Sequence, residues 1–489
     1  QTIRNTIDWS YNLLGEREKI LFARLATFVG GCSLGGGCTL EAAEAVCNAD
    51  GMLPLDVVDG IAALVDHSLL RQDEGAEDGP RFVMLETIRE YALERLEQRG
   101  EVDAVRRWHA EYFLKLAEQA EPELAGPRQV AWLARLDRDI DNLRVALGWS
   151  LEHHEMEMSL RLAGALASFW YTRSHWNEGR KWFEAALTRS DGASRSSRAK
   201  ALLGAGQLAT FQNDYEQAHK LCEQANALYM ELGDHAGAAW ALFFQTIIAA
   251  QDLSAPGRSK ASGAESLRLR RSIGDKRGIA YSLHLEGEDA LYAGEFARAV
   301  ELLDESLALF REAGDTYGIS LSLVVTAEAA YATGDYERAR NLGQECLKVS
   351  GQLGDRRGTG STLELLGRVA HLQGEGTVAH ALLSQALSLL SDAGDRWGMA
   401  RCLESMAAIW ANHDPGRAAR LFGFTEQLRQ SIGLPQTYLD RSRCERGMAA
   451  IGERADAATI KATWAQGRAL TLAQAIAEAV SAEPEGALV

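Results

Sequence analysis

The sequence predicts an all-α chain built mainly from stacked helical hairpins with a period of about 40 residues. The first observation is a phrase that recurs five times: Leu232-Gly233-Asp234, Ile273-Gly274-Asp275, Ala313-Gly314-Asp315, Leu353-Gly354-Asp355 and Ala393-Gly394-Asp395. Its leading glycines are evenly spaced, the first step alone being longer by one residue, and a further glycine follows each Asp at Gly237, Gly278, Gly318, Gly358 and Gly398. A fixed period in this range marks a repeat array. The second observation is a junction midway between phrases, at Asn213-Asp214-Tyr215, Gly294-Glu295-Phe296 and Gly334-Asp335-Tyr336. The third is composition: 8 prolines in 489 residues, with Ala, Leu, Glu and Arg abundant, favour helix throughout.

The phrase has a mechanism. Glycine after an apolar run takes the left-handed conformation that ends a helix. The Asp beside it caps the next helix through its carboxylate. The later glycine lies in the first turn of that helix, where the preceding helix crosses closely. At the midway junction Ala218, Ala299 and Ala339 are small enough to let paired helices approach. Each unit therefore reads helix, turn, helix, turn. The pattern resembles the tetratricopeptide repeat, whose glycine, aromatic and alanine positions match Gly287, Gly294, Phe296 and Ala299. The resemblance implies a right-handed superhelix. The unit is longer than the usual length of roughly 34 residues.

Taken in order, residues 1–100 read as a winged-helix domain. Helices are expected at Ile3–Leu14, Glu16–Phe28, Leu40–Cys47, Leu55–Asp66 and Glu86–Gln98, with a glycine-rich turn over Gly30–Gly37. Leu69–Gln72 and Arg81–Leu85 flank an acidic stretch, which signals a hairpin, the wing. Residues 101–157 read as a helical connector, with helices at Val102–Gln119, Pro127–Leu136 and Arg138–Leu151. The array occupies residues 158–433 as seven units, beginning near Met158, Ser197, His235, Lys276, Tyr317, Arg356 and Arg396. In the third unit Ser254–Lys260 replaces the compact turn: a kink, a mobile loop or the lip of a ligand site. Residues 434–489 form a helical cap over the last apolar face and, after Ala482, a tail expected to be disordered.

Several stretches carry a more specific likeness. They are Ile7-Asp8-Trp9-Ser10-Tyr11, Leu21–Leu25, Leu64–Leu69, Met84–Ala92, Arg107–Phe113, Asp141–Arg144, Leu421-Phe422-Gly423 and Trp464–Leu470. They resemble the region after the nucleotide-binding module of bacterial STAND (NB-ARC) signal-transduction ATPases, found in LuxR-type and antibiotic-regulator-type transcriptional regulators. In that family the winged helix packs on the nucleotide site, often through a Met-His-Asp motif. The matching positions are Met84, Leu85 and Glu86, so Leu85 stands where the His would be. The resemblance implies that ATP or ADP belongs to a nucleotide-binding domain outside this chain, which begins at Gln1 and reads as a piece of a longer protein.

Charge narrows the partners. The net charge is -17, which opposes a general nucleic-acid or anionic-membrane surface. Residues 1–100 hold nine Lys/Arg against seventeen Asp/Glu, so direct DNA contact by the winged helix is not expected. No apolar run or leader suggests a membrane span or export, and a cytoplasmic location is expected. The seven cysteines are scattered singly and read as free thiols. His153-His154 with Glu155 and Glu157 reads as a polar helix end rather than a metal site. No phosphate-cradle motif or nucleophile signature is present, so neither catalytic nor cofactor-binding residues are assigned.

Binding remains. In tetratricopeptide arrays the first helix of each unit lines the concave face. On that register the inward positions are Trp240, Phe243, Tyr281, His284, Glu288, Leu291 and Tyr292, then Glu328 and Tyr331, then Glu364, Arg368 and His371, then Arg401 and Glu404. Aromatics beside Arg and carboxylates suit a peptide, protein or small-molecule effector. The expectation is a non-enzymatic sensor region that binds an effector and relays it through the winged helix to the nucleotide-binding domain. The alternative is a passive scaffold for partner proteins.

Overall fold

The computed structural model describes residues 2–33, 35–51, 53, 56–73, 79–188, 192–250, 256–433 and 436–481. The chain divides into two compact units, one of residues 1–124, 128–169 and 179–204, the other of residues 125–127, 170–178 and 205–489.

The first unit opens with α1 (Thr2–Leu13) and α2 (Glu16–Leu25). Next come β1 (Gly30–Ser33), β2 (Gly35–Gly36), β3 (Cys38–Thr39), α3 (Leu40–Cys47) and α4 (Val57–Asp66). β4 (Arg71–Asp73), β5 (Arg81–Val83) and α5 (Glu86–Arg99) close the winged helix. Leu21, Phe22, Leu25, Val46, Leu64, Ala92 and Leu96 form its dry core.

The glycine-rich stretch is not the simple turn expected. β1 pairs with β2, and β3 adds to the wing to give an antiparallel sheet of order β3-β5-β4. Gly37 has φ +68°, and a Cβ there would collide with the Phe82 carbonyl. The glycines are needed because one backbone runs against another. The expected wing tip, Glu74–Asp78, lies outside the described residues.

α6 (Val102–Glu123), α7 (Gln129–Glu152) and α8 (Met156–Ala165) follow. α7 is one helix where two were expected. Its polar residues face inward and are satisfied there, so no break is needed. Asp139 meets Arg81 at 2.5 Å. The Asn142 amide accepts from the Val29 N–H and donates to the Gly37 carbonyl, both at 2.9 Å.

The array runs through α9 (Ala167–Thr172), α10 (Trp176–Thr188), α11 (Arg195–Phe211), α12 (Tyr215–Leu232), α13 (His235–Ala250) and α14 (Pro256–Ile273). It continues with α15 (Lys276–Ala293), α16 (Phe296–Ala313), α17 (Thr316–Ala332), α18 (Tyr336–Leu353), α19 (Arg356–Leu372) and α20 (Gly376–Ala393), then α21 (Arg396–Trp410) and α22 (Pro415–Ile432). Residues 251–255 of the irregular third unit lie outside the described residues, as does the tail after Ser481. α23 (Tyr438–Gly452), α24 (Ala457–Arg468) and α25 (Leu472–Val480) complete the chain. No helix among the described residues is long and apolar enough to cross a membrane.

Each Gly-Asp junction does two jobs. Gly233, Gly274, Gly314, Gly354 and Gly394 all have φ between +62° and +71°. The next residue, the Asp, sends its N–H back to the helix just ended, for example Asp315 to the Phe310 carbonyl at 3.1 Å. That is a Schellman closure. The same Asp caps the next helix, accepting from the Gly237, Gly278, Gly318, Gly358 or Gly398 N–H at 2.8–2.9 Å. The second glycine is required sterically: a Cβ on Gly398 would lie 2.8 Å from Leu390, and one on Gly318 would enter the Phe310 ring. Within the hairpins, Gly287 and Gly367 admit Leu303 and Leu383 in the same way, at 2.7 Å from a notional Cβ.

Candidate functional site

The first helices of the units, α13, α15, α17, α19 and α21, share one wall of the second unit, and it has two layers. The layer near their N-terminal ends is aromatic and arginine-rich. Arg277 pairs with Asp315 at 2.6 Å and Arg357 with Asp395 at 3.0 Å. Each arginine is the second residue of its helix and reaches the capping Asp of the next unit, tying neighbouring hairpins together. Tyr281 donates to the same Asp315 at 3.2 Å. The rings form a continuous seam. Trp240 packs on Tyr281 at 5.2 Å between centroids, Phe211 on Tyr171 at 4.6 Å, and Tyr171 meets Tyr317 ring to ring and hydroxyl to hydroxyl. Arg277 lies over the Trp240 ring and Arg357 over Phe211, at 5.5 and 5.8 Å. Such stacking holds cations without desolvating them fully.

The other layer, built on Glu328, Glu364, Arg368 and Arg401, is closed. Glu328 takes Arg368 at 3.0 Å and Arg401 at 2.6 Å. Glu364 takes the same two at 2.9 and 3.2 Å and accepts from the Ser405 hydroxyl at 2.6 Å. Burial alone would raise Glu364, but Arg368, Arg401 and Arg443 overcome it and hold the carboxyl down at about 2. Beside this lies a second network. Glu404, fully buried, accepts from Nε and Nη2 of Arg429 at 2.7 and 2.9 Å and from Arg443 at 2.8 Å. Asp440 bridges the same arginines at 3.0 and 2.8 Å. Arg443 and Asp440 belong to α23, so the C-terminal region is clamped onto the wall by buried charge. Leu439 of α23 packs on the apolar cluster of Leu291, Val325 and Ala329.

Glu288 occupies in α15 the position that Glu328 occupies in α17. It is half-buried, accepts from the Tyr292 hydroxyl at 3.0 Å and makes no ion pair among the described residues. Burial raises its carboxyl to about 7, with Asp289 and Glu328 adding to the rise against the pull of Tyr292 and Arg357.

The sequence-derived wall residues do lie together, but in different states. Phe243, Tyr281, His284, Glu328, Glu364 and Arg368 are buried among the chain's own side chains. Trp240, Glu288 and Tyr331 are half-buried and open to solvent in part. Burial lowers His284 to about 4, so it is uncharged at neutral pH. Of the expected inward positions, Glu328, Glu364, Arg368 and Arg401 pair with one another, and Glu404 pairs with Arg429 and with Arg443 of α23.

Sequence reasoning missed Arg277, Arg357, Tyr171, Phe211, Asp440 and Arg443. The first two had a signal, an Arg one residue before the second glycine of the phrase. The α23 residues had none, because they fall outside the repeat. Elsewhere Leu85 is 57% exposed just before α5, and Glu86 pairs with Arg89. His153 stacks on Trp149 at the end of α7, and no group of three possible metal ligands exists among the described residues. The helix-turn-helix pair, α3 and α4, carries no Lys or Arg, and α4 exposes Asp59 and Asp66.

Comparisons with known proteins agree with this architecture. Residues 14–97 match the winged helix-turn-helix domain family and residues 319–392 the tetratricopeptide repeat family. A protein of Mycobacterium tuberculosis (strain ATCC 25618 / H37Rv), provisionally named an HTH-type transcriptional regulator, is 35% identical over 306 residues, covering 60% of this chain and 33% of the relative. An uncharacterised protein of the same strain is 36% identical over 105 residues, covering 22% of this chain and 25% of its own length. The chain thus spans about a third or less of the curated relatives it matches. Among solved structures, a signal-transduction ATPase with numerous domains and a tetratricopeptide repeat sensor from Pyrococcus horikoshii aligns over 94% of this chain and 63% of its own, with TM-score 0.52 and 14% identity. At that identity the likeness shows the fold: a winged helix joined to a tetratricopeptide array.

Proposed function

We propose that this chain is the sensor region of a larger signal-transduction regulator. The array binds a peptide, protein or small-molecule effector on its inner wall. The winged helix passes the bound state to a nucleotide-binding domain outside these residues, where ATP or ADP would sit. One observation carries the reading: the wall is half open and half closed. Trp240, Tyr171 and Phe211 keep part of their aromatic surface exposed beside a few oriented polar groups, the composition of a binding site, while Phe243, Tyr281 and Tyr317 are buried and α23 seals Glu404. A scaffold has no need of such a division.

Switching requires the effector to favour one state over another by differential contacts. The network joining α21, α22 and α23 is an element on which such a difference can act. Direct DNA binding has no part in this reading, because the helix that would enter the major groove presents Asp and no cation, and phosphate contacts need cations.

The test is a thermal-shift screen of peptides and metabolites against the full chain. A genuine effector loses affinity when Trp240→Ala and Glu288→Gln are combined, measured at a temperature where circular dichroism shows the unliganded double variant still folded. If every hit binds the double variant as well as the wild type, the inner wall is not the site. In the longer polypeptide, the effector should also shift nucleotide affinity; an unchanged affinity would favour the scaffold.

A further inference from the structure

The repeat register makes Glu288 an exception that has a chemical meaning. Glu328 occupies the equivalent position one unit later and is satisfied by Arg368 and Arg401. Those partners stand 40 and 73 positions further along the chain. Counted from Glu288, the same two steps arrive at Glu328 and Ser361. The fold therefore repeats the carboxylate but places an acid and a hydroxyl where the two guanidinium groups would come from. Asp315, Asp395, Glu328, Glu364, Glu404 and Asp440 each have an arginine from within the chain; among the described residues Asp355 makes no ion pair either, but it is buried and serves as the cap of α19. Glu288 and Ser361 are both partly exposed, so the position is reachable.

Aromatic surface lies beside it. Tyr292 holds Glu288 by its hydroxyl, and its ring stands 6.3 Å from that of Trp397. Trp397 already carries Arg401 over its face at 4.7 Å, as Tyr331 carries Arg368 at 4.6 Å. Arg277, Arg357, Arg368 and Arg401 are thus each held in the same way, a carboxylate at the charge and a ring under the plane. Resting on the sensor reading above, we propose that the inner wall is a receptor for an organic cation, whose guanidinium or primary ammonium pairs with Glu288 and takes the place that register assigns to an arginine. The source is an arginine or lysine side chain of a peptide, or a free amine.

The test uses four probes on the full chain: agmatine, acetyl-arginine amide, acetyl-citrulline amide as the neutral urea isostere, and glutarate. The basic probes should bind at least roughly tenfold more tightly than the isostere, since a charged hydrogen bond is about twice as strong as a neutral one. Agmatine alone binding marks a free amine; acetyl-arginine amide alone marks a peptide side chain. Glu288→Gln should cost the basic probes roughly tenfold. Ser361→Arg should abolish their binding by supplying the cation from inside the chain, while raising the melting temperature. Equal binding of the basic probe and its urea isostere, or no effect of Glu288→Gln in a variant that melts normally, overturns the cation proposal. A neutral or anionic ligand sensitive to Trp240→Ala but not to Glu288→Gln overturns it too and leaves the sensor reading standing. If no probe or screened ligand responds to either variant, both fail.

Discussion

Replacing Glu404 by Gln tests whether buried charge clamps α23 to the array. Glu404 is fully buried and accepts three charge-assisted hydrogen bonds, two from Arg429 and one from Arg443. Gln keeps the shape but removes the charge. Hydrogen bonds to charged groups contribute about 1.5–3 kcal/mol each, and loss of one charge roughly halves them. Three such losses come to about 2–4 kcal/mol. A second route agrees: breaking a buried ion pair by removing one partner costs about 3–5 kcal/mol. The geometry makes the upper part of that range the relevant one. Both carboxylate oxygens face guanidinium donors, so the amide nitrogen of Gln must oppose a donor whichever way it is turned. Asp440 then remains as the single acid between Arg429 and Arg443. In a repeat array this loss stays local. Hydrogen exchange followed by mass spectrometry should therefore show α23 amides losing protection by roughly a thousandfold, with α11–α14 little affected. Protection in α23 within about threefold of wild type, that is within about 1 kcal/mol, would refute the clamp.

Other outcomes follow from the same structure. Gly318→Ala forces a Cβ into the Phe310 ring and should lower stability by about 1–3 kcal/mol. Gly351→Ala, in α18 with nothing within 4 Å of its notional Cβ, should raise stability by about 0.5–1 kcal/mol; chemical denaturation reads both. Glu288 makes stability depend on pH. Its folded pKa of about 7 stands above the 4.5 of an exposed Glu, so the native state holds the proton longer, and stability is lost as pH rises from 4.5 through 7. Asp289 and Glu328 face it and add to the rise, while Tyr292 and Arg357 oppose it without cancelling it. Glu288→Gln should match wild type near pH 4.5 and exceed it by about 1–2 kcal/mol at pH 8, discounted for partial exposure. A constant difference across that range, measured by thermal melts, would contradict the assignment. The chain should show no binding to duplex DNA at moderate salt, given the acidic α4; a fluorescence-anisotropy titration decides it.

What the sequence reveals is what it repeats. The Gly-Asp junction is a local code in which one residue ends a helix, the next starts another, and a third clears space. It is written five times, so period and phase are visible without a structure. The junctions at Gly294 and Gly334, both left-handed at φ +86° and +84°, are legible for the same reason. The inner register followed from them, and Glu328, Glu364, Arg368 and Arg401 do lie on one wall. Their state did not follow. Arg368 has Glu364 one turn away, but the rest of the pairing of Arg368 and Arg401 depends on carboxylates 37 to 73 positions away in sequence, and on α23, which belongs to no repeat. The glycine-rich stretch after α2 hid its strands likewise, because the need for Gly37 comes from Phe82 on a distant strand. Contacts made once leave no period to read.

Charge balance also bears on where an effector can act. The closed layer holds four acids, Glu328, Glu364, Glu404 and Asp440, and four arginines, Arg368, Arg401, Arg429 and Arg443. A charged ligand inserted among them would strand one member of a buried pair, at about 3–5 kcal/mol. Its own contacts would have to exceed that before any affinity appeared. At Glu288 the sign of the problem is reversed. A cation there relieves a carboxyl that burial and Glu328 hold at about 7, and it disturbs no existing pair. Ligand binding and the Glu288 proton then compete, so affinity for a basic probe should rise from pH 6 to pH 8 and level off above the carboxyl's pKa. Calorimetry across that range reads the slope, and a flat profile would place the cation elsewhere.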